Sequence, residues 1–570
     1  MGNLTPPPQE VPNGALCVRT PTLKRNMWRT THTHPNSRAC PALRDTGTTA
    51  YVLTCASLVL LMTPALALFY GGFVGPNMAI STMLMSFAAL GVITTQWSLL
   101  TYSLAFGTHS NAAVDPYIGG TSFAAYSELS WGNNLRAGTA IPEQANFAYQ
   151  LAFAAVTSAV ISGGVVGRIT YGAWCTFIAL WHVIVYVPLA HWIFYSGGWL
   201  AKNGVLDFAG GLVVETNSGV SAFVLAAWVS WATRRAITAA APRKVSAGGG
   251  GGGTAAPSAA DDEVEAATSA INAPWLVLKA RKPHNVPFIL LGAGLLLFGW
   301  LGFNSASGLT TGFRASRAWV NTALSAATGM LGWGVAESVW AGGRGLFSGL
   351  PSAVGCATGL VVGLVAITPA CGFVSAMSSL VIGFATALIA FHVDLFLRAR
   401  CSCVDDTLSV FVGHGVGGMV GIFATGLVAN VDEMSPSNGA VYGNGAQLGW
   451  QVAGILVTVA VSAAGTSIAW GATTAIFHAL RLPSLMPPAH ALDPDTSLHG
   501  ERAYSPVATE GGSGGSGSVH AGKVWTEAAI VALVRRELKA RAGAVVLEVR
   551  APAAEGARNT ASAVTGAAQP

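Results

Sequence analysis

Eleven separate apolar stretches, near 50–74, 80–106, 147–168, 171–195, 210–233, 286–305, 316–339, 348–368, 371–398, 407–430 and 448–478, are each long enough to cross a bilayer as a helix. A hydrocarbon core of ~30 Å needs about 20 apolar residues in helical form. No β-barrel alternation competes with that reading. The expectation is an all-α polytopic membrane protein with eleven transmembrane helices. Composition agrees, because 52% hydrophobic residues, 10% charged residues and a mean hydropathy of +0.52 leave too much apolar surface for an ordinary water-soluble fold. Gly and Ser recur inside the stretches (GGVVG, GVGG, SAAG), which suits helices that approach closely in lipid. The net charge of +5 is too small and too scattered to indicate a nucleic-acid partner; the bilayer is the partner implied.

Between and beyond the spans the chain changes character. Residues 1–48 contain six Lys/Arg against Glu10 and Asp45 and no signal-peptide core, so they read as a disordered tail, with a transit peptide left open. Residues 234–284 contain an unbroken glycine run, Gly248 to Gly253, and read as a flexible insert. Residues 481–570 form a polar C-terminal tail, with GGSGGSGS at 511–518 and one amphipathic helix expected around Thr526 to Arg541. An odd helix count puts the termini on opposite sides. With the C-terminus inside, the inner loops hold eleven Lys/Arg and the outer loops only Arg136, Lys202, Arg314 and Arg317, as the positive-inside rule favours. The basic N-terminal tail argues the other way. Cys17 and Cys40 would then face outward, paired or free, and Cys401 and Cys403 lack the His or acid spacing of a zinc site, so no metal is expected.

The stretch from Leu189 to Val220 places Asp207 and Glu215 at the head and inside of an apolar helix. A charge at bilayer depth costs at least ~3 kcal/mol on insertion scales, so such residues face a protein interior or a polar path. At ~1.5 Å per residue the two carboxylates would stand about 12 Å apart and within roughly 80° of each other, one at a pore mouth and one midway. The plainer alternative makes Asp207 a helix cap and Glu215 a structurally paired acid; capping accounts for Asp207 and not for Glu215.

Downstream, Pro283 to Ser307 and Asp405 to Gly418 (DDTLSVFVGHGVGG) put further polar groups inside apolar helices. Together with ALALFYGGFV, QLAFAAVT, VAITPACGF and LHGERAY, these segments resemble the ammonium transporter (Amt/Mep/Rh) family, the Amt/Mep branch in particular, over residues 50–505 and in the family's order. The resemblance implies a homotrimer of eleven-helix subunits, built on an inverted five-helix repeat, with N-terminus outside, C-terminus cytoplasmic and a separate pore in each subunit. Within the sequence itself only the DFAGG and GHGVGG segments are weakly parallel.

Matched residue by residue, the resemblance implies an outer ammonium site of Phe153, Tyr195 and Ser307 supported by Asp207, with Tyr195 where the family usually has Trp. Aromatic faces attract a partly desolvated cation by ~1–2 kcal/mol. Taken singly, Phe153 and Tyr195 would more readily be interface anchors, and Phe303 an ordinary packing residue. The resemblance makes Phe153 and Phe303 a stacked gate, and Glu215 with His414 a proton relay in which Glu215 stands where most members have the first of two histidines, as in some fungal Mep-type members. Ser409, Gly167 and Gly75 depart from the family pattern and put ion pairs at the inner mouth in doubt. In the tail, Thr496 and Ser497 match a segment phosphorylated in plant relatives, which implies a kinase or regulatory protein as partner. The function implied is transport of ammonium and methylammonium, non-enzymatic and without cofactor, across what is most simply a plasma membrane. An ammonium-sensing receptor and an Rh-like NH₃/CO₂ channel are the alternatives.

Overall fold

The computed structural model describes residues 45–127, 129, 135–240, 283–340, 351–401, 403–486 and 494–504. Residues 1–44, the glycine run of the insert, Arg344, the 526–541 segment, Cys17 and Cys40 lie outside the described residues. Those described are helical, with no β-strand among them and one isolated bridge, Leu135 to Pro142.

Nine helices among the described residues are long and apolar enough to cross a membrane: α1 (Thr46–Phe73), α2 (Ala79–Phe106), α3 (Glu143–Gly164), α4 (Tyr171–Lys202), α5 (Gly211–Arg235), α6 (Val286–Ser305), α9 (Ala376–Arg400), α10 (Phe411–Val428) and α11 (Gly445–Ala479). The two remaining apolar stretches fall on α7 (Phe313–Trp340) and α8 (Ala353–Ile367), the latter only 15 residues long. A short helix, α12 (Pro494–His499), follows. The first helix starts at Thr46, inside the stretch read as tail, because Asp45 caps it: the carboxylate accepts from Thr48 N at 3.0 Å and Thr48 Oγ1 at 2.7 Å. Those two bonds hold the Asp45 carboxyl below the usual range.

Helices α1 and α6 pack along one another, as do α7 with α8 and α9, while α3 is the most enclosed span, 89% buried along its apolar window. Enclosure of α3 on all sides is what makes Phe153, buried on its inner face, an interior residue rather than an interface anchor.

Two segments repeat a design. Asp207 and Asp406 each precede a six-residue π-helical segment, Gly211–Thr216 and Phe411–Val416. Glu215 follows Asp207 by the same eight residues that separate His414 from Asp406, and the residue at the third position of each, Gly210 (φ 114°) and Ser409 (φ 54°), is left-handed. In both, the aspartate accepts from backbone amides at the helix start. The parallel that is visible in the chain is therefore DFAGGLVVE with DTLSVFVGH, shifted from the pairing of DFAGG with GHGVGG expected above.

Candidate functional site

Asp207 lies outside the helix, which begins at Gly211, so the expectation of two carboxylates along one continuous helix is corrected. Its Oδ1 accepts from Gly210 N (2.8 Å) and Gly211 N (2.6 Å), and its Oδ2 from Leu212 N (2.8 Å) and Val213 N (3.3 Å). These are the amide groups a helix start leaves without intrahelical partners, and a carboxylate there also meets the positive end of the helix dipole. A left-handed φ at Gly210 turns the chain so that all four amides converge, a conformation glycine adopts without steric cost. Asp406 does the same for α10, accepting from Val410 N (3.1 Å) and Phe411 N (2.8 Å).

The two capped turns bring Glu215 and His414 together: Glu215 Oε2 lies 2.7 Å from His414 Nδ1, with 1% and 8% of the respective side chains exposed. Contact at that range depends on a glycine. A Cβ on Gly219 would sit 2.1 Å from Gly415 N and 2.4 Å from Gly415 Cα, so α5 and α10 cross backbone to backbone one turn beyond the pair. We expect Gly219→Ala to cost at least about 1–3 kcal/mol, since overpacking against backbone has no side chain to yield. It should show as a lower midpoint in detergent thermal unfolding, and an unchanged midpoint would mean that the crossing relaxes freely.

On one side of the pair, Phe153 and Phe303 stack with centroids 4.0 Å apart at 10°, both buried, and Phe153 also packs on Tyr149. Such stacking is worth ~0.5–1.5 kcal/mol beyond area burial. Ser307 Oγ lies 3.2 Å from Tyr149 Oη and donates to Phe303 O at 2.8 Å. Tyr149, four residues before Phe153 on the same helix face, thus joins Phe153, Phe303 and Ser307; its i,i+4 spacing was the signal that sequence reading missed. Tyr195 sits in a different polar cluster, its ring packed on His191 and its hydroxyl facing Thr108 and Asp115.

A small pocket of about 10 Å³ has Phe303, Glu215 and His414 in its walls; the rest of its lining is apolar, including Met62, Leu66, Val156 and Leu296. That is about the space one water-sized molecule occupies. Beyond His414 a cavity of about 370 Å³ continues past Tyr70, Asp394, Arg398 and Asp406. Two ion pairs of other residues lie at this end: Arg398 Nε to Asp394 Oδ2 at 2.7 Å, and Arg168 Nη1 to Asp405 Oδ2 at 3.9 Å. Ser409 joins the first, donating to Asp394 Oδ1 (2.8 Å) and accepting from Arg398 Nη2 (2.9 Å).

At the same end α12 docks through Asp495, whose carboxylate caps α2 by accepting from Ile80 N (3.0 Å) and Ser81 N (2.7 Å). Thr496 Oγ1 accepts from Arg502 Nε at 3.2 Å, and Tyr504 Oη lies 2.8 Å from His284 Nε2. Ser497 is on α12; its side chain is outside the described set.

Comparison with known proteins gives one result throughout. The model of the Ammonium Transporter Family matches residues 50–243 and 277–504. An ammonium transporter of Aquifex aeolicus is 35% identical over 474 residues, 82% of this chain and 95% of that protein, and one of Mycobacterium tuberculosis is 37% identical over 437 residues, 72% and 81%. The crystal structure of Saccharomyces cerevisiae Mep2 superposes with a TM-score of 0.59 at 30% identity, covering 75% of this chain and 85% of that one. Candida albicans Mep2 does so with 0.60 at 29%, covering 77% and 84%. With the matched segments spanning nearly all of the helical core described above, the chain belongs to the ammonium transporter family.

Proposed function

We propose that this protein transports ammonium, and also methylammonium, across a membrane through a pore in each subunit. The observation that carries the reading is the Glu215–His414 contact at 2.7 Å, with a stacked Phe153–Phe303 pair and a mostly apolar pocket of about 10 Å³ beside it; we read the stack as a gate and the pocket as the narrow passage behind it. Hydrated K⁺ or Na⁺ cannot fit such a passage, and neither can shed its charge. Ammonium can: given a base, it leaves a proton behind and crosses as ammonia. Glu215 and His414, in contact at 2.7 Å, are the groups able to hold that proton. In this reading Glu215 takes the place of a histidine usual in the family.

Phe153 and Ser307 form the outer cation site together with Tyr195, whose own cluster adjoins theirs through the Phe153–Phe194 ring contact at 6.3 Å, and Asp207 holds the half-turn that supports it. The subunit has eleven spans arranged as an inverted repeat, α7 and α8 completing the nine, and three subunits assemble as a homotrimer. Supporting the repeat is the shared Asp, left-handed third residue and eighth-residue Glu or His of the two half-turns. The N-terminus lies outside and the C-terminus in the cytoplasm, at the plasma membrane. Residues 1–48 and 481–570 flank a membrane domain interrupted by the 234–284 insert.

Saturable uptake of radiolabelled methylammonium, competed by ammonium, is expected when the chain is expressed in cells lacking their own transporters. Absence of uptake at normal surface abundance would overturn the proposal. The same assay separates it from an ammonium-sensing receptor with slight transport, and methylammonium saturation separates it from an Rh-like gas channel.

The tail is a regulatory element in this reading, with Thr496 and Ser497 as its modification sites. A phosphate of about −1.5 to −2 charges beside Asp495 would repel the carboxylate that caps α2. Ser497→Asp is expected to lower uptake about two-fold or more, by loss of a cap worth ~1 kcal/mol. Equal uptake at equal abundance would leave the tail without that role.

A further inference from the structure

The Tyr195 hydroxyl stands 3.4 and 3.5 Å from the two carboxylate oxygens of Asp115 and 3.1 Å from Thr108 Oγ1. Asp115 belongs to the loop between α2 and α3, and it is held there from three directions. Its Oδ1 accepts from His109 N at 2.7 Å, its own amide donates to Asn111 O at 3.0 Å, and its carbonyl oxygen lies 2.6 Å from His191 Nε2. His191 is fully buried, its Nδ1 is 2.9 Å from Ala105 O, and its ring stacks under Tyr195 at 4.6 Å and 27°. One histidine therefore fixes both the aromatic ring and the backbone of the acid beside its hydroxyl.

We propose that Asp115 is a positioning residue of the outer cation site, setting the Tyr195 hydroxyl as a hydrogen-bond acceptor for a monovalent N–H cation. The inference rests on the transport reading above. A hydroxyl has one proton and two acceptor lone pairs. With a carboxylate on one side the proton is drawn toward the acid, and even with Thr108 Oγ1 donating to one lone pair the other is left for an incoming ammonium. An indole at the same place has only an N–H to offer and repels N–H donors at that edge. The fixed carboxylate also adds a negative charge at the mouth, whose pull on cations falls as salt is raised.

The test is methylammonium uptake measured against concentration for wild type, Asp115→Asn, Asp115→Glu, Tyr195→Phe and the Asp115→Asn/Tyr195→Phe double variant, in the full chain. Asp115→Asn is expected to raise KM about five- to tenfold, the effect of losing a negative charge beside the hydroxyl, with maximal rate within about two-fold. Tyr195→Phe, which keeps the ring on His191, should raise KM similarly, and the double variant should be no worse than either, because both remove one interaction. Asp115→Glu should restore part of the affinity, and raising ionic strength should weaken wild type more than Asp115→Asn.

Unchanged KM in Asp115→Asn, or additive effects in the double variant, would overturn the inference. A loss of maximal rate and abundance with no change in KM would make Asp115 a loop brace only and overturn it equally. Should Asp115→Asn not reach the membrane, Tyr195→Phe decides: an unchanged KM there refutes the role. Absence of uptake by the wild type would instead refute the transport reading itself.

Discussion

Asp207→Ala is expected to abolish methylammonium uptake, by at least about ten-fold, while leaving protein at the cell surface. Four backbone amides, those of Gly210, Gly211, Leu212 and Val213, lose their shared acceptor at once. A lost helix cap costs ~1–2 kcal/mol, and half-buried amides left without partners add to it. A change of 1.4 kcal/mol is already tenfold in an equilibrium. The damage is directed at function because the half-turn it loosens is the one that carries Glu215 to His414, and because the carboxylate assigned to the proposed outer cation site goes with it. Asp207→Asn, which keeps an acceptor oxygen and removes the charge, should fall between wild type and Asp207→Ala. Wild-type uptake in Asp207→Ala, measured at equal surface abundance, would remove Asp207 from the mechanism.

Much of this architecture is legible in the chain. Apolar runs long enough to span a bilayer are a strong and local signal, and each of the eleven falls on a helix, with ends displaced by a few residues where a polar cap such as Asp45 or a short apolar window such as that of α8 sets the boundary. The residues expected to meet as a gate and as a buried pair, Phe153 with Phe303 and Glu215 with His414, lie in contact. Helical periodicity misassigned Asp207, because a left-handed Gly210 and a π-helical turn interrupt the 3.6-residue repeat on which the angle between Asp207 and Glu215 was reckoned. The repeat of that turn at Asp406 escaped notice for the same reason, since Gly210 and Ser409 share a backbone conformation and not a side chain. Asp115 and His191 gave no signal at all: one lies in an aperiodic loop, and the other reads as one more ring in an apolar helix. Their roles depend on a contact between segments 76 residues apart, which spacing within either segment does not encode.

Glu215→Ala is expected to have an effect nearly as large, and of a different kind. Removing the carboxyl leaves His414 without the partner 2.7 Å away and enlarges a mostly apolar pocket that now has about 10 Å³ of space. Flux should fall about ten-fold, or the distinction between ammonium and K⁺ should weaken, since a buried polar group left without its hydrogen-bond partner costs ~1–3 kcal/mol and must be solvated by whatever enters. Glu215→His keeps a proton-holding group at the same place and is expected to retain transport with a displaced pH profile. Free carboxyl and imidazole groups differ by about two units in proton affinity, so exchanging one for the other at this place should move the profile.

The most direct measurement is flux through the purified protein in proteoliposomes, with methylammonium and K⁺ followed side by side from about pH 5 to 8, the interval in which histidine commonly titrates. For wild type the expected result is saturable methylammonium flux without K⁺ flux, with a pH dependence that shifts in Glu215→His and with flux or selectivity lost in Glu215→Ala. Passage of K⁺ through the wild-type protein at a comparable rate, or one pH profile shared by wild type and both variants, would contradict a pore that selects ammonium by taking its proton.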